Sequence, residues 1–296
     1  MSTTTSTTIK DIQDMGKNMV AASSCIAVAV TVFNPLDCYR LRWQVQQDSA
    51  ATMKGHLRLI LRREGLFKGL WIPGIGANAI GAGFSRGIGM GCYPTVRDSI
   101  STDKTTSTMF IAGLLSGGVG YWISTPAWVI KTRLQAGKES TTNPPKGNGM
   151  QVCKDILRHK GIKGLYRGAS ALVVRGALVN AGNTLGYDWS KTQNCKYDIV
   201  QEGPLLHVFA SVVAAFLSST FCVPADFVMT RYQAGPQMGH VYSSVMNCAR
   251  TLYEKEGPLS FFKGWTPLFV RVAPLYIFYL PVYEQCRELL GLGYMT

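Results

Sequence analysis

The sequence predicts an all-α membrane protein assembled from three copies of one two-helix unit. Three observations carry that prediction. First, a ten-residue pattern recurs at residues 35–44, 126–135 and 224–233. Each copy has a proline, an acidic slot two residues on, a basic slot five on and a glutamine nine on. The slots hold Asp37, Arg40 and Gln44, then Trp128, Lys131 and Gln135, then Asp226, Met229 and Gln233. Steps of three and four residues place them on one helix face. The copies lie roughly 90 to 100 residues apart, which is a structural repeat. Second, 47% of the chain is hydrophobic and only 16% is charged. Third, six apolar runs are present, two per copy, at residues 20–36, 74–93, 105–130, 169–187, 205–225 and 268–283.

The run at 105–130 carries no full charge and is long enough to cross a hydrocarbon core of about 30 Å. The others hold at most a few ionisable groups. A soluble helical protein does not account for glycine-rich apolar stretches such as 74–91 and 113–120, which suit close helix packing in lipid. The net charge of +13 comes without a basic polar face or a nucleic-acid module, so it points to anionic lipid or an anionic cargo. The eight cysteines are scattered without metal spacing and read as buried thiols. No nucleophile–base set or phosphate loop is visible, so neither an enzyme nor a cofactor or metal site is expected. The Ser/Thr-rich start, whose first lysine is Lys10, lacks the pattern of a cleavable signal.

Residues 1–12 are expected to be disordered. Repeats then occupy 13–99, 100–196 and 197–296, in one integral membrane unit. In the first, a helix over 14–46 is kinked by Pro35. A surface helix over 51–63 follows, and then a second span over 73–98. The second repeat places helices at 107–136, 150–159 and 169–192, with a flexible Pro/Gly/Asn-rich loop at 137–149. The third places them at 204–234, 243–255 and 266–290. The basic excess follows each odd-numbered span, which fixes the compartment those loops face. Six spans put both termini on the other side.

A second motif follows each surface helix. Repeat three has Glu256-Gly257 and then Phe262-Lys263-Gly264; repeat two has Lys160-Gly161 and then Tyr166-Arg167-Gly168. Repeat one, from Glu64-Gly65 to Trp71, is offset by about one residue. The two motifs together, three times over, resemble the mitochondrial carrier family across nearly the whole chain. The resemblance implies a six-helix barrel with threefold pseudo-symmetry, three short matrix surface helices and one central substrate site between two gates. It places the chain in the mitochondrial inner membrane as a monomer, with termini toward the intermembrane space and cardiolipin at the surface helices. At the matrix gate it pairs Asp37 with Lys131 and Asp226 with Arg40. The third pair is replaced by Trp128 and Met229, whose S–aromatic contact is worth about 0.3–1.5 kcal/mol. Gln44, Gln135 and Gln233 brace the pairs. At the cytoplasmic gate it pairs Asp188 with Arg287 and Glu284 with Arg97. Pro94 takes an acidic slot there, which leaves Lys191 unpaired.

Arg175 and Arg271 lie inside apolar runs, where charge is costly and marks function. Each lies 13 residues before the acid of its gate motif, and the same count on the second span reaches Gly81. These levels match the family's substrate contacts, with Gly176 beside Arg175. Nearby residues resemble the dicarboxylate, oxoglutarate, oxaloacetate and uncoupling branch. Arg86, five residues beyond Gly81, is turned some 140° from it on an ideal helix. Two guanidiniums suit carboxylates or other oxyanions. The expected function is therefore alternating-access exchange of small organic anions such as dicarboxylates or oxodicarboxylates. Alternatives are an uncoupling-type proton leak, a phosphate or sulfate carrier, or an interaction protein with degenerate gates.

Overall fold

The computed structural model describes residues 2–46, 52–100, 106–136, 148–179, 182, 204–236, 238–239 and 242–290. Among them every regular element is helical. The first odd span is a pair, α1 (Ser2–Val32) and α2 (Asn34–Val45), broken at Phe33. Pro35 lies in the first turn of α2, where its missing N–H costs no hydrogen bond. Its counterparts Pro126 and Pro224 sit inside α5 (Thr106–Gln135) and α8 (Pro204–Ala234). α1 starts at Ser2, ahead of the expected start and across the segment expected to be disordered. No glycine or proline lies between Ser2 and Met15 to stop a helix running back from the apolar span.

The even spans are α4 (Ile75–Ile100), α7 (Ala169–Val179) and α10 (Trp265–Leu289). The six spans close into a ring. α1 packs on α4, α4 on α5, α8 on α10 and α10 on α1. α7 enters the ring through small residues: a Cβ on Gly176 would lie 2.6 Å from the Tyr121 ring of α5. Gly182, just beyond α7, lies against the Ser218 backbone of α8. At Gly120 of α5 an added Cβ would come within 2.5 Å of the Ser85 carbonyl of α4, so that crossing admits only glycine. Phe33 meets Phe278 edge-on at 6.3 Å, and the Cys25 and Cys286 sulfurs lie 3.1 Å apart, which joins the first span to the last. Met15–Val32 and Ser211–Ala234 are each long and apolar enough to cross a membrane.

Each surface helix packs on the odd span of its own repeat. α3 (Met53–Arg63) brings Ile60 onto Cys38 and Tyr39. α6 (Gly149–Leu165) brings Val152 and Ile156 onto Val129. α9 (Val245–Glu256) brings Cys248 and Leu252 onto Phe227 and Val228. All three begin at a polar cap: Thr52 accepts from the Gly55 N–H, Asn148 forms a capping box with Gln151, and Ser244 accepts from the Asn247 N–H. α6 continues past its expected end by turning at Gly161, whose φ is 62°. The offset in repeat one is larger at its far end than the sequence suggested. Gly74 follows Gly65 by nine residues, where Gly168 and Gly264 follow Gly161 and Gly257 by seven. A π-helical turn at Phe67–Trp71 takes up extra chain there.

Behind two of the surface helices a buried arginine meets the acid slot of the second motif. Arg42 meets Glu64 at 2.8 Å and Arg231 meets Glu256 at 3.0 Å. Repeat two has Lys160 in that slot. Burial holds its ammonium below the ordinary lysine value, and the Arg167 and Arg133 cations lower it further. Lys160→Glu should therefore stabilise the protein by about 0.5–1 kcal/mol. That corresponds to a rise of roughly 1–4 °C in the thermal midpoint of the detergent-solubilised protein, and a fall would contradict the equivalence of the three slots.

Candidate functional site

The three odd spans converge at their C-terminal ends. Leu41, Val45, Ala136, Ala234 and Met238 form one small apolar cluster there, with members from all three repeats. One turn back along the helices lies a continuous charged network. Lys131 Nζ is 2.5 Å from Asp37 Oδ2. Arg40 contacts Asp226 through one guanidinium nitrogen and lies 3.1 Å from Asp37 Oδ1 through the other. The structure thus brings together both ion pairs expected from the first motif and joins them through Arg40. Arg40, Lys131, Asp37 and Asp226 are all at most 2% exposed, so water screens them little.

The two arginines expected to face substrate belong to the same network. Arg175 donates from Nε to Asp226 Oδ1 at 2.6 Å. An Arg271 terminal nitrogen lies 3.0 Å from Asp37 Oδ1. That oxygen therefore has two guanidinium groups close by. In this conformation the two arginines therefore hold carboxylates of the protein itself. They also line a cavity, together with Arg86, Tyr121, Trp128 and Ser85. The presence of Arg86 corrects the helical-wheel expectation. Its Cα points away from the Gly81 direction, but its long side chain still contributes to the cavity wall.

The substituted pair, Trp128 and Met229, shares one buried apolar cluster. The indole N–H of Trp128 donates to Ser85 Oγ at 3.0 Å, and Lys131 Nζ lies 4.4 Å from the ring centroid. Gly81 faces that indole: a Cβ there would lie 3.4 Å from Trp128 Nε1. Gly176, expected beside the substrate, instead makes room for the Tyr121 ring. Of the glutamines, Gln44 braces an ion pair directly, donating to Asp226 Oδ2 at 2.8 Å. Gln135 acts through Asn34, to which it donates at 3.0 Å; Asn78 donates to Asn34 as well and reaches Asp37 Oδ2 at 3.3 Å. Gln233 accepts from Thr132 and donates to the Arg167 carbonyl, because its level holds Trp128 and Met229 and no ion pair. Each glutamine also packs against a positive-φ glycine of the preceding repeat in the ring: Gln135 on Gly74, Gln233 on Gly168 and Gln44 on Gly264. Sequence reading missed Asn34 and Asn78; the only signal was an amide in an otherwise apolar run.

At the opposite end, Arg97 lies over the Tyr93 ring with its guanidinium carbon 5.8 Å from the centroid. Asp188 and Lys191 lie outside the described residues, as do the side chains of Glu284 and Arg287 in α10 and of Pro94 in α4.

A family model described as "Mitochondrial carrier protein" matches residues 13–104, 102–197 and 200–293. The chain belongs to the mitochondrial carrier family. It is therefore a transport protein of the mitochondrial inner membrane and not an enzyme. It is 29% identical over 294 residues to mitochondrial brown fat uncoupling protein 1 of Canis lupus familiaris, covering 92% of this chain and 91% of that one. The Ovis aries protein of the same name is 32% identical over 285 residues, covering 90% and 88%. The Bos taurus protein is 31% identical over 289 residues, covering 90% and 89%.

The network sets the energetic weight of each residue. Removing one partner of a buried pair costs about 3–5 kcal/mol, because the other charges stay behind without compensation. Asp37→Asn leaves Lys131, Arg40 and Arg271 facing one another and should cost at least that much. Trp128→Phe loses one indole hydrogen bond and should cost about 1 kcal/mol. Thermal unfolding of the two variants in one detergent should rank them in that order; equal losses would contradict the network.

Proposed function

We propose that this carrier exchanges small organic anions, of the dicarboxylate or oxodicarboxylate class, across the inner membrane by alternating access. One observation carries the reading. Four buried cations, Arg40, Lys131, Arg175 and Arg271, share two buried carboxylates, Asp37 and Asp226, beside a cavity that Arg86 also lines. The set carries two positive charges in excess, and an anion with two carboxylates balances them.

In this reading a substrate carboxylate competes with Asp226 for Arg175 and with Asp37 for Arg271. The competition loosens the matrix-side network, and pairs among Arg97, Asp188, Glu284 and Arg287 close the other end. A ligand shifts such an equilibrium only by its differential affinity for the two states, and sharing the arginines supplies that difference. Both termini face the intermembrane space. The exposed Lys54, Arg58, Arg62 and Arg63 of α3 face the matrix, where they meet anionic lipid such as cardiolipin. In this reading the monomer is the working unit, since residues of one chain line the cavity. The names of the relatives favour a second reading, an uncoupling-type proton leak; inorganic phosphate or sulfate is a third possible cargo.

Succinate or 2-oxoglutarate at a hundredfold excess over its dissociation constant should stabilise the purified protein by about 2.7 kcal/mol. Arg175→Gln and Arg271→Gln should each abolish the effect. Reconstituted vesicles should exchange the same anion without net proton flux. Proton flux without anion exchange would favour the uncoupling reading instead.

A further inference from the structure

The two cavity arginines obey one rule of the ring. Arg175 of α7 meets the acid slot of α8, and Arg271 of α10 meets the acid slot of α2. In each case the residue at the contact level of an even span touches the acid slot of the next odd span. Applied to α4 and α5, the rule joins position 81 to position 128, and there the structure has Gly81 against the Trp128 indole. The base that would complete that sector is replaced by Met229, which is 3% exposed and lies in the same apolar cluster. So one sector of three has lost its acid, its base and its cavity residue together. The other two have kept all three.

Trp128 is more than filler in that sector. Its N–H is fixed by Ser85, whose Oγ lies 2.6 Å from Ser124 Oγ and donates to the Gly81 carbonyl at 2.5 Å. That chain pins the plane of the indole. Tyr121 stands beside it at 6.2 Å between centroids, and the Arg175 guanidinium carbon lies 5.8 Å from its centroid. Both aromatic residues line the cavity, with Ala82, Val30 and Leu275 on the same wall system. The cavity is therefore lined by both cations and aromatic rings, with Arg175 next to the Trp128 indole.

We propose that Trp128, backed by Gly81 and Met229 and flanked by Tyr121, is a specificity-determining subsite for an apolar or ring-bearing part of the carried anion. The preferred cargo is then a carboxylate with an aryl or branched hydrocarbon group, ahead of the short dianion of the same charge. The inference rests on the reading that Arg175 and Arg271 hold the anion. Gly81 belongs to the subsite because a Cβ there would already touch the indole at 3.4 Å, so a side chain extending beyond Cβ competes with it for space.

The test compares charge-matched pairs, pyruvate with phenylpyruvate and glutarate with 3-phenylglutarate, by thermal-shift titration of the purified protein and by uptake into reconstituted vesicles. Aromatic contacts add about 0.5–1.5 kcal/mol beyond area burial, so the phenyl member should bind roughly 2–12-fold more tightly than its parent. Trp128→Phe should keep most of that ratio, and Trp128→Leu should bring it close to one. The double variant Gly81→Arg with Trp128→Asp, which rebuilds the charged sector by the rule above, should reverse it. Equal affinity within each pair in the wild-type protein overturns the subsite and leaves the anion reading standing, as does a ratio that survives Trp128→Leu. Absence of binding or uptake for all four anions overturns the anion reading, and the subsite with it.

Discussion

Two aspartates serve four cations at the closed end of this carrier. Asp37 is held among Lys131, Arg40 and Arg271, and Asp226 among Arg40, Arg175 and Gln44. Charges this deeply buried are tolerable only when paired, so the convergence of the odd spans, the break before α2 and the inward face of the even spans all have to deliver partners to the same place. The six-helix ring is the scaffold that does so. Its tight crossings at Gly120, Gly176 and Gly182 bring the spans close enough for the charges to meet.

The pairing is also asymmetric in a way that suits a moving part. Arg40 and Lys131 come from the last turns of the odd spans, while Arg175 and Arg271 reach in from the second turn of the even ones. In the proposed exchange, an arriving anion does not need to break the odd-span pairs first. It needs only to offer Arg175 and Arg271 a better acceptor, after which each aspartate has lost part of its support. Binding and opening then share the same two side chains, which is a direct route from ligand affinity to a conformational shift.

The repeat and its slots were legible because each copy repeats the same chemistry, and three copies in register leave little room for chance. The pairs Asp37–Lys131 and Arg40–Asp226 followed, before any coordinates, from the resemblance to the carrier family and its wiring of those slots. The reach of Arg175 and Arg271 to the same aspartates was not legible, since it depends on how far the even spans lean inward. The place of Arg86 stayed open for a related reason: the helical wheel gives Cα directions, whereas a guanidinium sits several bonds beyond. The π-helical turn at Phe67–Trp71 hid the length difference in repeat one, because an insertion there leaves the flanking pattern almost unchanged. The joint loss at positions 128 and 229 was legible as one missing pair, whereas the place of Gly81 beside it showed only in the ring.

The competition between substrate and aspartate is tested most directly by the affinity of Asp226→Asn for a short dicarboxylate. The variant keeps Arg175 but removes the carboxylate that holds it. Succinate titrations of wild-type and variant protein, followed by calorimetry in the same detergent, give the two dissociation constants. If the arginine is shared, Asp226→Asn binds succinate more tightly, by about tenfold for each 1.4 kcal/mol of competition removed. Unchanged or weaker binding would mean that Asp226 and the anion do not compete for Arg175, and the proposed link between binding and opening would be wrong.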